Sequence, residues 1–153
     1  MNAKDFLLRP TQLECNIDNT ATEILKLRSQ AEKINAVLSP VVGGKGVNKD
    51  FSAVVDRIIE LEAKLKQMTA EWIKVTKEVQ TVIEMLPDPK KRTVLHKRYP
   101  ESKTLVQIAG EMNYTEQYVR KLHSEAINEV QEILNKKEEQ YCPSFLLYHI
   151  LIN

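Results

Sequence analysis

The chain has 153 residues, of which 42% are apolar and 28% charged, and its formal net charge is +1. These values predict a folded protein of one domain or two small ones, and they exclude a chain that is basic throughout, so any basic surface must be local. The N-terminus lacks the apolar run of a signal peptide, and the longest apolar-rich stretch is too short for a membrane span, so we expect an intracellular protein without a membrane partner.

The first predicted element is a long helix that ends near Pro40. Eight positions of this helix follow one another at spacings that alternate between four and three residues, and seven of them are apolar. In a coiled coil such positions form the seam that faces a partner helix. Proline and glycine oppose helix continuation, so Pro40 and the following "VVGGKG" end the helix. The seam positions are Leu13, Ile17, Thr20, Ile24, Leu27, Ala31, Ile34 and Leu38.

A second helix with a heptad pattern follows, and Pro87 ends it. The short connection between the helices predicts an antiparallel hairpin from about Thr11 to Leu86, in a domain of residues 1–86. Helix rise gives a length of about 40 Å for the first arm, or somewhat more if it continues through Phe6, and roughly 60 Å for the second. All ten seam positions of the second arm are apolar: Val54, Ile58, Leu61, Leu65, Met68, Trp72, Val75, Val79, Val82 and Leu86.

The unequal arms predict self-association, because part of the second seam would stay uncovered in a monomer. We expect a homodimer with Trp72, Val75 and Val79 in its interface. An intramolecular hairpin covered by the apolar tail, residues 136–153, remains the alternative.

The pattern changes after Pro87, and residues 87–135 predict a helix-turn-helix domain. "KKRTVLHKRYP" predicts a short helix with Val94 and Leu95 inward, and Pro100 ends it. The next helix begins with a capping box of Thr104 and Gln107, and Asn113, which tolerates the left-handed conformation, ends it. Thr115 then caps a last helix. Its apolar stripe comprises Val119, Leu122, Ala126, Val130 and Ile133. The fold class is therefore all-α.

Two groups of side chains in this domain predict binding to double-stranded DNA. From Pro87 to Lys103 the local charge is +4, which suits phosphates, and arginine and glutamine can form paired hydrogen bonds with guanine and adenine. The expected base-reading residues are Glu116, Gln117, Arg120, Lys121 and Ser124. The expected phosphate-binding residues are Lys91, Arg92, Lys97, Arg98, Lys103, Thr104 and Thr115.

Three segments, "RTVLHKRY", "TLVQIAGEMNYT" and "YVRKLHSEAI", resemble region 4 of sigma-70-type transcription factors, and the resemblance covers residues 88–135. The heptad arms followed by "LPDPKKRTVLHKRY" also resemble small proteins of Gram-positive phages and prophages, related to late-gene activators of the ArpU and RinA kind. This resemblance implies a transcriptional regulator in the cytoplasm of a bacterial host, with RNA polymerase as a further partner. Glu116 and Gln117 stand where sigma factors commonly have arginine and glutamate, so their promoter sequence is not implied.

Other chemistry has little support in the sequence. There is no phosphate-binding loop, dinucleotide fingerprint or nucleophile elbow, so we expect neither an enzyme nor a cofactor. The three histidines lack metal-site spacing, and Cys142 with His149 would supply only two ligands. Two other function classes stay open: a structural or adaptor coiled-coil protein, and a sigma-like factor that binds RNA polymerase.

Overall fold

The computed structural model describes residues 1–38 and 47–140. It has five helices in these ranges and no strand, which confirms the all-α prediction, and the two long N-terminal helices are compatible with a hairpin. None of the described helices is long and apolar enough to cross a membrane. The predicted connection around "VVGGKG" lies outside the described residues, and so does the predicted tail from residue 141 onward. The prediction for the first part of that tail, residues 136–140, is corrected, because these residues belong to the last helix. The helices are α1 (Ala3–Leu38), α2 (Val47–Glu84), α3 (Pro89–Arg98), α4 (Leu105–Met112) and α5 (Glu116–Gln140).

The chain forms two compact units whose limits cut through both long helices. Among the described residues, unit 1 comprises 1–11 and 75–140, and unit 2 comprises 12–38 and 47–74. The domain division predicted between residues 86 and 87 therefore falls inside unit 1. The physical reason is that the beginning of α1 and the end of α2 share a hydrophobic core with α3 and α5.

Unit 2 contains most of the predicted heptad seam. Ile24 and Leu61 are buried, Thr20 is buried despite its hydroxyl, and the other seam positions described here are half-buried. Two ion pairs connect the helices beside the seam, Arg28–Glu62 at 2.5 Å and Arg57–Glu23 at 3.3 Å. Exposed pairs of this kind contribute about 0–1 kcal/mol each, so the apolar seam stabilises the unit more than they do.

The core of unit 1 is a set of residues from four helices, which we call the end cluster. The backbone N–H of Ala3 donates to Oε1 of Gln131 at 2.7 Å, and this bond fixes the beginning of α1 beside α5. The cluster makes residues 3–7 part of the same core as α3 and α5. Its members are Ala3, Phe6, Leu7, Val79, Val82, Ile83, Leu86, Leu95, Tyr99, Ala126, Ile127, Val130 and Leu134.

The lengths of the two long helices correct the prediction of unequal arms. α1 begins at Ala3, so the first arm does continue through Phe6, and it has 36 residues against 38 in α2. Val75 and Val79, predicted in a dimer interface, are each 2% exposed within the single chain. Val79 is covered because the early start of α1 brings Phe6 and Leu7 into its cluster. Neither valine needs a second copy to cover it, and Trp72 is half-buried.

A second, smaller core in unit 1 holds α3, α4 and α5 together, and we call it the corner cluster. It consists of Val94, Ile108, Ala109, Val119 and Leu122, with Leu105 and Met112 packed against it. Val94, Ile108 and Val119 are fully buried. Val94 of α3 and Val119 and Leu122 of α5 were predicted to point inward, and this is confirmed.

His123 lies on the inner side of α5 and makes the stability of unit 1 depend on pH. Its Nε2 is 3.3 Å from the Tyr99 hydroxyl. Burial, and then the charges of Arg98 and Lys4, lower the pKa of His123 below its ordinary value of 6.5. The unfolded chain therefore binds this proton more readily than the folded chain does.

We expect the free energy of unfolding to fall as the pH drops through 6.5 towards the lower pKa of folded His123, because that proton favours the unfolded chain. Urea denaturation between pH 7.5 and 5.5 measures the effect, and His123→Gln should reduce the pH dependence. His96→Gln is the control and should keep it. An equal pH dependence in wild type and His123→Gln would contradict this assignment.

Candidate nucleic-acid interface

The turn between α4 and α5 is fixed by local hydrogen bonds of the predicted kind. Thr104 and Gln107 form the capping box, with Gln107 N–H donating to Thr104 Oγ1 at 3.3 Å and Thr104 N–H donating to Gln107 Oε1 at 2.9 Å. Asn113 ends α4 in the left-handed region, with φ 55° and ψ 41°. The N–H of Tyr118 donates to Thr115 Oγ1 at 3.3 Å and caps the start of α5. These bonds set the direction in which α5 leaves the turn after α4, and we call this turn and the helices on either side of it the corner.

Asn113→Ala should lower the free energy of unfolding by about 1–2 kcal/mol, because a residue with a Cβ is strained in the left-handed conformation and alanine lacks the local hydrogen bonding of asparagine. Asn113→Gly should retain the stability of the wild type or differ from it only slightly, since glycine adopts this conformation without strain. Urea denaturation of the three proteins measures both effects. Equal loss in the alanine and glycine variants would show that the conformation of Asn113 is not what matters.

The predicted base-reading residues share one surface of α5. Gln117, Arg120, Lys121 and Ser124 are exposed, and Glu116 is half-buried. Arg120 pairs with Glu116, one turn earlier, through Nε at 2.8 Å, and its side chain is 64% exposed. The guanidinium group is therefore held over the first turn of α5 and stays accessible.

Lys91, a predicted phosphate-binding residue, already forms ion pairs with two glutamates of unit 1. Its Nζ lies 2.6 Å from Glu129 and 3.0 Å from Glu125, and its side chain is only 13% exposed. These two carboxylates raise the pKa of Lys91. The lysine joins α3 to α5, and a DNA phosphate would have to compete with two acidic partners for it.

Lys97 and Lys103 share one acidic partner, Glu111 of α4. Their ammonium groups lie 2.5 Å and 2.7 Å from its carboxylate, and Lys103 also contacts Glu101 at 2.6 Å. The lysines lower the pKa of Glu111, with Lys103 the larger cause, so the carboxylate stays charged. The three carboxylates of Glu111, Glu125 and Glu129 offset most of the local positive charge expected from the sequence.

The two arginines among the predicted phosphate-binding residues donate hydrogen bonds to backbone carbonyls. Arg92 Nη1 donates to the carbonyl of Leu86 at 3.0 Å, and Arg98 Nη1 donates to that of Lys103 at 2.9 Å. Both carbonyls lie in the connections that flank α3. These arginines therefore fix the chain at either end of α3, a role that sequence spacing did not indicate.

Three residues outside the predicted set also meet at the corner. The rings of Tyr114 and Tyr118 form an edge-to-face pair with centroids 5.1 Å apart. The ammonium group of Lys90 lies 5.5 Å and 6.0 Å from their centroids. Tyr114 lies in the turn and Tyr118 in the first turn of α5, so helical spacing did not indicate this contact.

Comparison with known proteins gives a family but no function. A family model described as "Protein of unknown function (DUF1492)" matches residues 20–137. No curated protein and no solved structure matches the chain. In the described ranges, no group of three or more His, Cys, Asp or Glu residues is placed to hold a metal ion.

Proposed function

This chain belongs to the DUF1492 family, and we propose that it is a sequence-specific regulator of transcription that binds double-stranded DNA through α4 and α5. The observation that carries the proposal is the corner between these helices. α4 is packed and capped, the turn is three residues long, and α5 begins with an exposed polar surface. A helix-turn-helix domain uses these same parts to place the start of its second helix in the major groove.

The ion pairs around the corner affect how much of the proposed DNA affinity comes from phosphates and how much from bases. Phosphate contacts from unpaired lysines supply most sequence-independent affinity for DNA. Here Lys91, Lys97 and Lys103 already have carboxylate partners. The proposed regulator therefore binds random DNA weakly and depends on base contacts from α5 for its affinity at a selected site.

Arg120→Ala tests the base contacts. We expect it to cost about 1–3 kcal/mol on a duplex selected by the wild type from a random pool, and to relax the preference at one base position. The control is Arg57→Ala. Arg57 is an exposed arginine of α2, outside the helix-turn-helix, with 52% of its side chain exposed against 64% for Arg120. It pairs with Glu60 on its own helix and also with Glu23 of α1. A fluorescence anisotropy titration of the three proteins measures the affinities.

Two results would count against DNA recognition by α5. One is a wild-type protein that enriches no sequence from the random pool, and the other is an Arg120→Ala variant that binds the selected duplex as tightly as the wild type. Circular dichroism of the variant confirms that it is folded, so that a loss of binding is not a loss of structure.

The second candidate function is a structural or adaptor coiled-coil protein, and the pairing of the basic residues favours it. Glu111, Glu125 and Glu129 already pair with the lysines of this region, and in this alternative α3, α4 and α5 act only as a packed cap on the long arms. A sigma-like contact with RNA polymerase is compatible with the same surface and rests on the sequence resemblance. A homodimer would need a surface other than Val75 and Val79, since the single chain covers both.

A further inference from the structure

The group formed by Lys90, Tyr114 and Tyr118 has no role in the packing of either core. Tyr114 belongs to the turn, Tyr118 to the first turn of α5, and Lys90 to the first turn of α3. The two tyrosines are 36% and 38% exposed. Three separate elements thus bring two phenol groups and one ammonium group to a single place on the surface.

Lys90 differs from the other lysines of the corner in its partners. Lys91, Lys97 and Lys103 contact carboxylates, whereas Lys90 has no acidic partner among the described residues and lies against two neutral rings. The side chain of Tyr114, and to a smaller extent that of Tyr118, raises the pKa of Lys90. Its positive charge is therefore present at neutral pH and is not offset by a neighbouring anion.

The position of the group points to an anionic ligand beside the surface of α5. Tyr118 follows Gln117 directly and precedes Lys121 by one turn, so it lies at the edge of the predicted base-reading surface. Phenol hydroxyls and lysine ammonium groups are common donors to DNA phosphates, and such contacts fix the register of a protein on the duplex. A backbone phosphate at the edge of the major groove would meet all three donors.

We propose that Lys90, Tyr114 and Tyr118 form a phosphate clamp that holds one backbone phosphate of the DNA strand next to α5. The clamp rests on the proposed DNA-binding function and adds to it one lysine whose positive charge no carboxylate offsets, together with two phenol donors. The clamp provides the phosphate contact that was expected from Lys91, Lys97 and Lys103, which already pair with carboxylates.

Lys90→Gln and Lys90→Arg test the clamp, with Lys136→Gln as the matched control. Lys136 is an exposed lysine on the same domain, roughly 27 Å along α5 from Tyr118. Each protein is titrated with the selected duplex and with a random duplex at several salt concentrations. The double variant Tyr114→Phe, Tyr118→Phe keeps both rings and removes only the hydroxyl groups.

We expect Lys90→Gln to weaken binding to both duplexes by the same factor, about five-fold at 0.15 M salt, and to reduce the slope of log affinity against log salt by about 0.9, as for one lost phosphate contact. Lys90→Arg and Lys136→Gln should bind like the wild type. The double phenylalanine variant should lose affinity with an unchanged salt slope, because it removes no charge.

The outcomes separate the clamp from the proposed function. If the wild type binds its selected duplex and Lys90→Gln keeps both affinity and salt slope, the clamp is wrong and the DNA-binding proposal stands. A change in base preference in Lys90→Gln would also overturn the clamp, since it would mean contact with a base. A wild-type protein that binds no duplex overturns both, and the aromatic surface would then be tested for binding a protein partner.

Discussion

Leu7→Ala should lower the free energy of unfolding by about 2–5 kcal/mol, the range for a fully buried leucine whose removal leaves a cavity. Leu7 is 0% exposed and belongs to the end cluster, where the start of α1 meets α2, α3 and α5. Its neighbour Leu8 is 38% exposed and provides a control with the same change at the next position. Leu8→Ala should alter stability by less than about 0.5 kcal/mol. Urea denaturation followed by circular dichroism measures both.

This pair of variants tests whether the beginning of α1 is part of the core of unit 1. Equal small losses in Leu7→Ala and Leu8→Ala would mean that residues 3–7 do not support the core. The division after residue 86 predicted from the sequence would then be the better description of the chain.

Ile108→Ala should also lower the free energy of unfolding by about 2–5 kcal/mol, because it opens a cavity in the corner cluster between α3, α4 and α5. Val106, two positions earlier on the same helix, is 59% exposed, whereas Ile108 is 0% exposed. Val106→Ala is therefore the control and should change stability by less than about 0.5 kcal/mol. Thermal unfolding monitored by circular dichroism gives the comparison.

A similar stability for Ile108→Ala and Val106→Ala would contradict the packing of α4 against α5. It would also remove the argument that the corner holds α5 in a fixed direction. Because both variants lie outside the predicted base-reading surface, their effects on DNA affinity report on the scaffold alone.

Features that depend on residues within a turn or two of helix could be predicted from the sequence. The capping box of Thr104 and Gln107 is confirmed, as are the left-handed Asn113 and the cap at Thr115. Their hydrogen bonds join residues no more than a few positions apart, so residue type and spacing determine them. The heptad seam and the inward stripe of α5 were predictable for the same reason, since helical periodicity fixes which residues share a side.

The partners of the charged residues could not be predicted in this way. Lys91 meets Glu129 across 38 positions of sequence, and Lys97 meets Glu111 across 14. A count of local charge treats every lysine as unpaired, and it therefore overestimated the positive charge of the corner. Whether α1 continues through Phe6 could not be decided from the sequence for a related reason. Pro10 lies inside the helix and lacks a backbone donor, but contacts of Phe6 and Leu7 with distant helices keep the preceding turns helical.

The hydrogen bond between Ala3 and Gln131 has a consequence for the order of events during synthesis. The two residues are 128 positions apart, and a ribosome that adds about 5–20 residues per second needs roughly 6–26 seconds to make that length. During this interval Phe6 and Leu7 lack the apolar surface of α5, because that helix has not yet been made. α1 and α2 form from local contacts in far less time than this. The nascent chain therefore carries an incompletely covered apolar end for several seconds, which is the kind of surface that chaperones bind.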